Sequence, residues 1–145
     1  MQVAYEVRAS PVAGKGLFLT KEVKKGTLLW KYSPQSVRTF KSAAEVRARL
    51  DGQPKEAILD FLEHAYCWES EVVEIIDDGK YWNHSKLPNT GSLPADPDSS
   101  FALRDIRAGE ELFDDYSAHD TLPWYEAICA EHGVMSVTKM GHVYG

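Results

Sequence analysis

The sequence is poor in cysteine and has no metal-binding pattern. Its two cysteines, Cys67 and Cys129, lie far apart and in no paired spacing. A structural zinc site needs about four Cys or His ligands in paired spacings. Neither the cysteines nor the five histidines provide them. Two free thiols in a reducing compartment are therefore expected more than a disulfide.

The sequence also lacks an excess of basic residues. Sixteen Lys and Arg stand against 22 Asp and Glu, which gives a net charge of −6. Proteins that bind nucleic acids normally carry a basic patch, so we expect no direct contact with nucleic acid. The acidity suits a basic partner such as a Lys- and Arg-rich peptide. It suits equally well a surface whose charge only keeps the protein soluble.

Long apolar runs are absent as well. No stretch has the length and hydrophobicity of a membrane-spanning helix, so we expect no membrane partner. Residues 1–6 lack the basic region and apolar block of a signal peptide. We therefore expect an intracellular protein, in the nucleus or the cytoplasm.

The patterns that are present predict a small mixed fold. A chain of 145 residues with 43% hydrophobic content is expected to form one domain with a real core. Alternation and β-branched runs predict strands near residues 3–8, 17–20, 27–32, 66–68, 72–76, 101–106 and 112–113. Apolar stripes predict helices at about 43–50, 54–65 and 122–131, and residues 87–100 are expected to form a loop. The predicted fold class is α+β, dominated by strands.

Two local features have more than one interpretation. The loop Gly14-Lys15-Gly16 is able to approach a ligand with bare backbone amides, but such turns between strands are common. The acidic cluster near residue 112 has the side chains of a metal site, yet a solvated turn is the more frequent meaning of such a cluster. Its members are Glu110, Glu111, Asp114 and Asp115.

Two polar stretches are the most informative part of the sequence. The first, residues 81–89, reads Tyr-Trp-Asn-His-Ser-Lys-Leu-Pro-Asn. An Asn-His-Ser triplet after an aromatic pair indicates a segment that crosses the protein and hydrogen-bonds a buried group. The alternative is a turn whose Asn and Ser satisfy their own backbone. The second stretch, residues 101–116, ends in Gly-Glu-Glu-Leu-Phe-Asp-Asp-Tyr.

Taken in chain order, these stretches resemble the SET-domain family of protein lysine methyltransferases. Residues 14–18 are similar to the opening Gly-X-Gly loop of the family. Residues 83–89 match its Asn-His-Ser-x-x-Pro-Asn block, and residues 104–116 match its Gly-Glu-Glu-Leu-x-x-Asp-Tyr block. The resemblance covers about residues 4–117. The predicted helices at 41–65 fall where the family varies most.

The resemblance implies a fold, an activity and a cofactor. The fold is a set of small β-sheets in which the Asn-His-Ser and Tyr segments cross in a knot-like arrangement. Residues 1–117 would be the SET domain with a helical insert at about 41–65. Residues 118–145 would be a tail whose one helix packs on that core. The activity is methyl transfer from S-adenosylmethionine to a lysine of a protein or peptide, with S-adenosylhomocysteine as product. Histone tails are the commonest target of the family.

The resemblance also implies the residues of the site. Tyr116 would be the catalytic tyrosine at the point of methyl transfer. The expected cofactor-binding residues are Gly14, Lys15, Gly16, Leu17, Asn83, His84, Tyr116 and Trp124. The expected residues of the lysine channel are Tyr66, Trp68, Asp114 and Tyr125.

The sequence departs from the family pattern in its tail and beside its tyrosine. Many relatives follow Pro-Asn with Cys and end in a Cys-rich, zinc-binding tail, whereas this chain has Thr90 there and only one cysteine in its tail. We therefore expect no zinc. The predicted tail helix offers Trp124 for the adenine and Tyr125 for the channel, but both suit core packing equally well. Tyr144 is a further candidate. Where relatives often carry Phe or Tyr, this chain has Asp114, which leaves the number of methyl groups undetermined.

The chemistry of methyl transfer fits the residue types of the expected site. The attacking amine must be neutral, and a free lysine has a pKa of about 10.4. An aromatic channel and a cationic cofactor both favour the neutral amine, and aromatic rings attract the methylammonium product. A second hypothesis is a SET-like domain that has lost catalysis and binds peptides or assembles complexes, since a carboxylate at Asp114 would hold the amine protonated. A small β-rich binding domain without a cofactor is the third.

Overall fold

The structure is a computed structural model of the chain and describes residues 1–144, except for the side chain of Tyr144. The prediction for Tyr144 therefore lies outside the described part. The strands are β1 (Tyr5–Ala9), β2 (Lys15–Leu19), β3 (Leu28–Trp30), β4 (Val37–Phe40), β5 (Tyr66–Trp68), β6 (Glu71–Ile75), β7 (Asn83–His84), β8 (Thr90–Leu93), β9 (Asp96–Ala102) and β10 (Phe113–Asp114). The α-helices are α1 (Ala43–Leu50), α2 (Lys55–His64), α3 (Pro123–Glu131) and α4 (Val137–Tyr144). The predicted α+β class, with many short strands, is confirmed.

The chain divides into two compact units. The first unit combines residues 1–36 with residues 76–115, and the second combines residues 37–75 with the chain from residue 116 onward. The second unit groups the tail with the helical insert, because the helices of both contribute to one hydrophobic core. The division into a domain of residues 1–117 and a tail of residues 118–145 stays a prediction.

The first unit contains three small sheets. Strands β1 and β2 form an antiparallel hairpin, and β3, β9 and β8 form an antiparallel sheet in that order. Strands β7 and β10 pair in parallel, with Asn83 opposite Phe113 and His84 opposite Asp114. Parallel neighbours need a long connection, so this pair joins segments that are distant in sequence. It places the Asn-His-Ser segment beside the residues that precede Tyr116.

The hairpin of β8 and β9 is a correction to the prediction of a loop at 87–100. Prolines, glycine and serines in that stretch suggested a loop. Two of the prolines fall outside the paired core of the hairpin: Pro88 precedes β8, and Pro94 lies in the turn between the strands. Proline is tolerated at such positions because it interrupts no ladder hydrogen bond there.

The second unit packs helices against one antiparallel sheet, ordered β4, β6, β5. Its core is made of apolar side chains from α1, α2, α3, β5 and β6, namely Val46, Leu50, Phe61, Leu62, Ala65, Cys67, Val72, Tyr125, Ile128 and Cys129. The predicted N-terminus of α1 is confirmed, since the Ser42 hydroxyl accepts from the Glu45 backbone N–H at 3.3 Å. None of the helices in residues 1–144 is long and apolar enough to cross a membrane.

A second helix in the tail, α4, was not predicted from the sequence. Gly141 lies in its interior, and glycine is a poor helix former. The structure shows why glycine is needed there. A Cβ at this position would lie 2.5 Å from the backbone nitrogen of Ser117. Glycine therefore allows α4 to pack closely on the 3-10 turn Tyr116–Ala118.

We expect Gly141→Ala to destabilise the protein although alanine is the better helix former. The added methyl group meets backbone atoms that cannot move aside cheaply, and overpacking of this kind costs about 1–3 kcal/mol. The free energy of unfolding in urea measures the effect. Lys139→Ala, at an exposed position of the same helix, is the matched control and should change stability little. An equal response of the two variants would contradict the close packing.

Candidate functional site

The glycine-rich segment opens strand β2. The sequence predicted a loop up to Gly16, but β2 already begins at Lys15, and the turn proper is closed by a hydrogen bond from the Ser10 backbone N–H to the Gly14 carbonyl at 2.8 Å. Gly14 has a positive φ of 49°, and nothing lies within 4 Å of the position of a Cβ on it. Leu17 is fully buried, so its side chain belongs to the core. Open space beside bare backbone is thus found at Gly14.

Asn83 is the side chain that links this segment to the Asn-His-Ser block. Its amide nitrogen Nδ2 donates to the carbonyl oxygens of Ala13, at 3.2 Å, and Lys15, at 3.1 Å. The same nitrogen donates to the Glu111 Oε2 atom at 2.7 Å. Asn83 therefore contacts the glycine-rich turn and the Gly-Glu-Glu-Leu block at once. Parts of the three motif blocks are thus in contact within the first unit.

Glu111 is turned inward and is only 7% exposed. Besides Asn83, the hydroxyl of Ser10 donates to its Oε1 and Oε2 atoms, at 2.8 and 3.0 Å. A Cβ on Gly16 would fall on the Oε2 atom and 2.8 Å from the Cδ atom of Glu111. Gly16 is thus required by the space that this carboxylate fills. Sequence reasoning favoured a solvated turn for Glu111, and for this member of the acidic cluster that interpretation is wrong.

The Pro-Asn end of the same block holds the backbone of the third block. The amide of Asn89 donates to the Glu111 carbonyl at 2.7 Å and accepts from the Phe113 N–H at 2.8 Å. The hydroxyl of Thr90, which is fully buried, donates to the Phe113 carbonyl at 2.7 Å and accepts from the Trp82 indole at 3.0 Å. Thr90, which stands where many relatives have Cys, thus links the second and third blocks by hydrogen bonds.

Asp114 and Asp115 come directly after Phe113 in the chain. The Asp115 N–H donates to the Asp114 Oδ1 atom at 2.9 Å, and the Asp115 Oδ1 atom lies 3.8 Å from the His84 Nδ1 atom. Burial raises the pKa of Asp114 to about 7. The hydrogen bond from Asp115 N–H acts against this rise, and the negative charge of Asp115 adds to it. Asp114 is therefore a carboxyl group that is only partly ionised near neutral pH.

The acidic cluster does not act as one group. Glu110 points away from Glu111 and forms a two-pronged ion pair with Arg104, at 3.0 and 3.2 Å. This ion pair lowers the pKa of Glu110. Among residues 1–144, no three His, Cys, Asp or Glu side chains are grouped closely enough to hold a metal ion.

The second unit brings the two predicted tyrosines together with a histidine. The rings of Tyr66 and His119 stack with centroids 4.6 Å apart, and those of Tyr116 and His119 with centroids 6.1 Å apart. Sequence reasoning missed His119, because a lone histidine between two predicted elements carries no recognisable pattern. The neighbouring predicted channel residue Trp68 ends strand β5 and is partly exposed.

Asp120 fixes the chain beside His119. Its carboxylate accepts from the Glu69 N–H at 2.8 Å, and its own N–H donates to the Cys67 carbonyl at 3.0 Å. Its carbonyl accepts from the Thr138 hydroxyl at 2.9 Å. Glu69 has a positive φ of 50°, in the turn between β5 and β6. These contacts hold the segment that carries His119 against the end of β5.

The two aromatic residues of the tail helix are placed differently. Tyr125 is fully buried in the core of the second unit, and its hydroxyl donates to the Leu62 carbonyl at 3.4 Å. Burial raises the pKa of this tyrosine. Its position corresponds to core packing, the alternative to a channel role. Trp124 is partly buried and meets the Tyr125 ring edge to face, with centroids 6.2 Å apart.

We expect Gly16→Ala to destabilise the protein by about 1–3 kcal/mol, because the methyl group displaces a buried, hydrogen-bonded carboxylate. The free energy of unfolding of Gly16→Ala, Glu111→Ala and the double variant gives the coupling between the two positions. With the carboxylate already removed, the methyl group should cost clearly less. Additive losses would mean that Gly16 is not constrained by Glu111.

The raised pKa of Asp114 predicts a pH dependence of stability. The folded state binds this proton more tightly than the unfolded state, whose carboxyl has a pKa near 3.8. The stabilisation is therefore complete below about pH 4 and is lost as the pH rises to about 7. As the pH rises from 5 to 8, the free energy of unfolding of Asp114→Asn should increase by about 1–3 kcal/mol relative to that of the wild type, as measured by urea unfolding. Asp51→Asn is the exposed control and should show no such gain. Parallel curves for wild type and Asp114→Asn would refute the assignment.

Comparison with known proteins agrees with the motif blocks. No curated protein sequence matches the chain significantly. Among solved structures, the chain is similar to a crystal structure of a Plasmodium falciparum protein named provisionally as a histone methyltransferase. The sequence identity is 15%, the TM-score is 0.47, and the alignment covers 78% of this chain and 92% of that chain. The family model of the SET domain matches residues 14–117, well over half of the chain. This protein therefore belongs to the SET-domain family.

Proposed function

We propose that the protein is an enzyme that transfers a methyl group from S-adenosylmethionine to a lysine side chain of a protein or peptide. The observation that carries the proposal is the triple contact of the Asn83 amide. One nitrogen joins the glycine-rich turn, the Asn-His-Ser block and the Gly-Glu-Glu-Leu block of the family. The contact supports the proposal because it brings together the segments that would hold the cofactor.

The residues present in the first unit fit S-adenosylmethionine. The backbone of residues 14–17, together with Asn83 and His84, would hold it. Gly14 leaves open space beside its backbone. Within residues 1–144, no hydrogen bond of the structure uses the Oδ1 atom of Asn83, so this acceptor is available to a ligand. When bound, the cofactor supplies an electrophilic methyl group on a positively charged sulfur. For Trp124, contact with the adenine ring remains part of the proposal.

The second unit supplies the aromatic groups proposed for the lysine. Tyr66, Tyr116 and His119 form a set of near-parallel rings, with interplanar angles of 27° and 22°. Such rings favour a neutral amine over an ammonium ion by excluding water, and they attract a methylated ammonium product through cation–π contact. The Tyr116 hydroxyl would orient the attacking amine. Trp68 is a further proposed wall of the lysine site.

The substrate class proposed is a lysine-rich segment such as a histone tail. The net charge of −6 supports a basic partner through long-range attraction. Both cysteines are free and buried, which agrees with a reducing compartment inside the cell. Asp114 is a further residue proposed for the lysine channel.

We expect Tyr116→Phe to keep cofactor binding and to lose turnover. Removal of the hydroxyl leaves the ring in place but takes away the group that orients the amine, which should lower turnover by about 100-fold or more. Calorimetric titration with S-adenosylmethionine and transfer of a labelled methyl group to lysine-rich peptides measure the two effects. Tyr5→Phe removes a hydroxyl that bonds Asp78 instead, and should leave turnover unchanged.

The same assays distinguish an enzyme from a SET-like domain that has lost catalysis. Asn83→Ala, checked for folding by circular dichroism, should abolish cofactor binding. Unchanged turnover in Tyr116→Phe would remove the role assigned to this tyrosine. A folded wild-type protein that binds neither S-adenosylmethionine nor S-adenosylhomocysteine, with or without a lysine-rich peptide, would refute the enzyme and support a peptide-binding module.

A further inference from the structure

We propose that Glu111 is a positioning residue for the cofactor: its carboxylate orients the Asn83 amide and supplies a buried negative charge that favours the α-ammonium group of the ligand. The inference rests on the proposed function, since it assigns a role to a side chain behind the cofactor-binding residues. Sequence reasoning gave Glu111 no role in the site.

Glu111 helps to fix the orientation of the Asn83 amide. Three oxygen atoms surround its Nδ2 atom: two backbone carbonyls at 3.1 and 3.2 Å and the Glu111 carboxylate at 2.7 Å. Rotating the amide by half a turn would place the Oδ1 atom against these three acceptors, with no hydrogen to share. The carboxylate makes the shortest of the three contacts and is the only one with a full charge. Glu111 therefore does most to keep Oδ1 on the opposite side of the amide, where it is able to accept from a ligand.

The carboxylate of Glu111 also contributes a negative charge. Glu111 is 7% exposed, and its partners in the described part of the chain are neutral: the Ser10 hydroxyl and the Asn83 amide. No Lys, Arg or His of residues 1–144 forms an ion pair with it. Burying an anion without a cation is costly, and nearby positive charge offsets the cost. A cationic ligand held by Asn83 would be one amide group away from this carboxylate, and the hydrogen bond polarises that amide in the favourable direction.

The backbone of Glu111 is itself held in place by strand pairing and by a side chain. Its backbone is bridged to Phe18 of strand β2, and the flanking residues continue the pairing: Leu112 N–H donates to the Leu17 carbonyl at 2.8 Å. Asn89 binds the Glu111 carbonyl. The carboxylate fills the space beside Gly16, so the side chain is closely packed on that side. A group so fixed costs little reorganisation when a ligand binds.

The test compares two ligands that differ by one group. The ligands are S-adenosylhomocysteine and its desamino analogue, which lacks only the α-ammonium. Calorimetric titration of the full chain gives their dissociation constants for wild type, Glu111→Gln, Glu111→Ala and the control Glu110→Gln. Glu111→Gln keeps the volume and an acceptor for Asn83 but removes the charge. Glu110 lies on the neighbouring position and pairs with Arg104 outside this network.

The expected result is a ligand-specific loss. Glu111→Gln should raise the dissociation constant of S-adenosylhomocysteine by about tenfold, as expected for removal of one screened charge. The dissociation constant of the analogue should change by less than about twofold. Glu111→Ala should weaken the binding of S-adenosylhomocysteine further, because the Asn83 amide is no longer oriented. Glu110→Gln should leave the dissociation constants of both ligands unchanged.

Two results would overturn the inference. If Glu111→Gln bound both ligands equally more weakly, Glu111 would have only a structural role. If neither ligand bound more weakly, Glu111 would have no role in cofactor binding. In both cases wild-type binding would leave the proposed function standing. A wild-type protein that binds neither ligand would refute the proposed function and this inference together. Should Glu111→Ala fail to fold, the comparison of the two ligands on Glu111→Gln decides alone.

Discussion

The hydrogen bond from Asn83 Nδ2 to Glu111 Oε2 spans 28 positions of sequence and 2.7 Å of space. Around it, Ser10 binds the same carboxylate, the carbonyls of Ala13 and Lys15 share the same amide, and Gly16 leaves the room that both need. A buried carboxylate must accept several hydrogen bonds to be tolerated, so these positions are not independent. The glycine-rich turn and the Glu111 carboxylate are therefore linked through one hydrogen-bond network.

The second unit is held together mainly by the packing of apolar side chains. The tail helix α3 completes a core with the helical insert through Tyr125, Ile128 and Cys129. Asp120 then ties the segment before this helix to the end of β5. The stack of His119 on Tyr66 and Tyr116 follows from that attachment. In this protein the helical insert and the tail therefore depend on each other, and a change in one is expected to move the aromatic rings.

Asp114 bears on the hypothesis of lost catalysis. A fully ionised carboxylate beside a reacting amine would hold the amine protonated. Burial instead raises the pKa of Asp114 to about 7, so this group is only partly ionised near pH 7. A neutral carboxyl group does not stabilise an ammonium ion by charge. The departure from the aromatic residue of many relatives is thus compatible with the proposed chemistry.

The sequence by itself determined the family, the fold class and most helices, because these follow from short motifs and local periodicity. The capping box at Ser42 is one example, and the glycine, asparagine and tyrosine blocks are another. Tertiary structure alone decided that Glu111 turns inward, that His119 stacks on Tyr66, that Tyr125 belongs to the core, and that a glycine-containing segment forms α4. The physical reason is the same in each case. These outcomes depend on residues that are far apart in sequence, such as Tyr66 and His119. Contacts of that kind form only in the folded chain, so local sequence patterns do not reveal them.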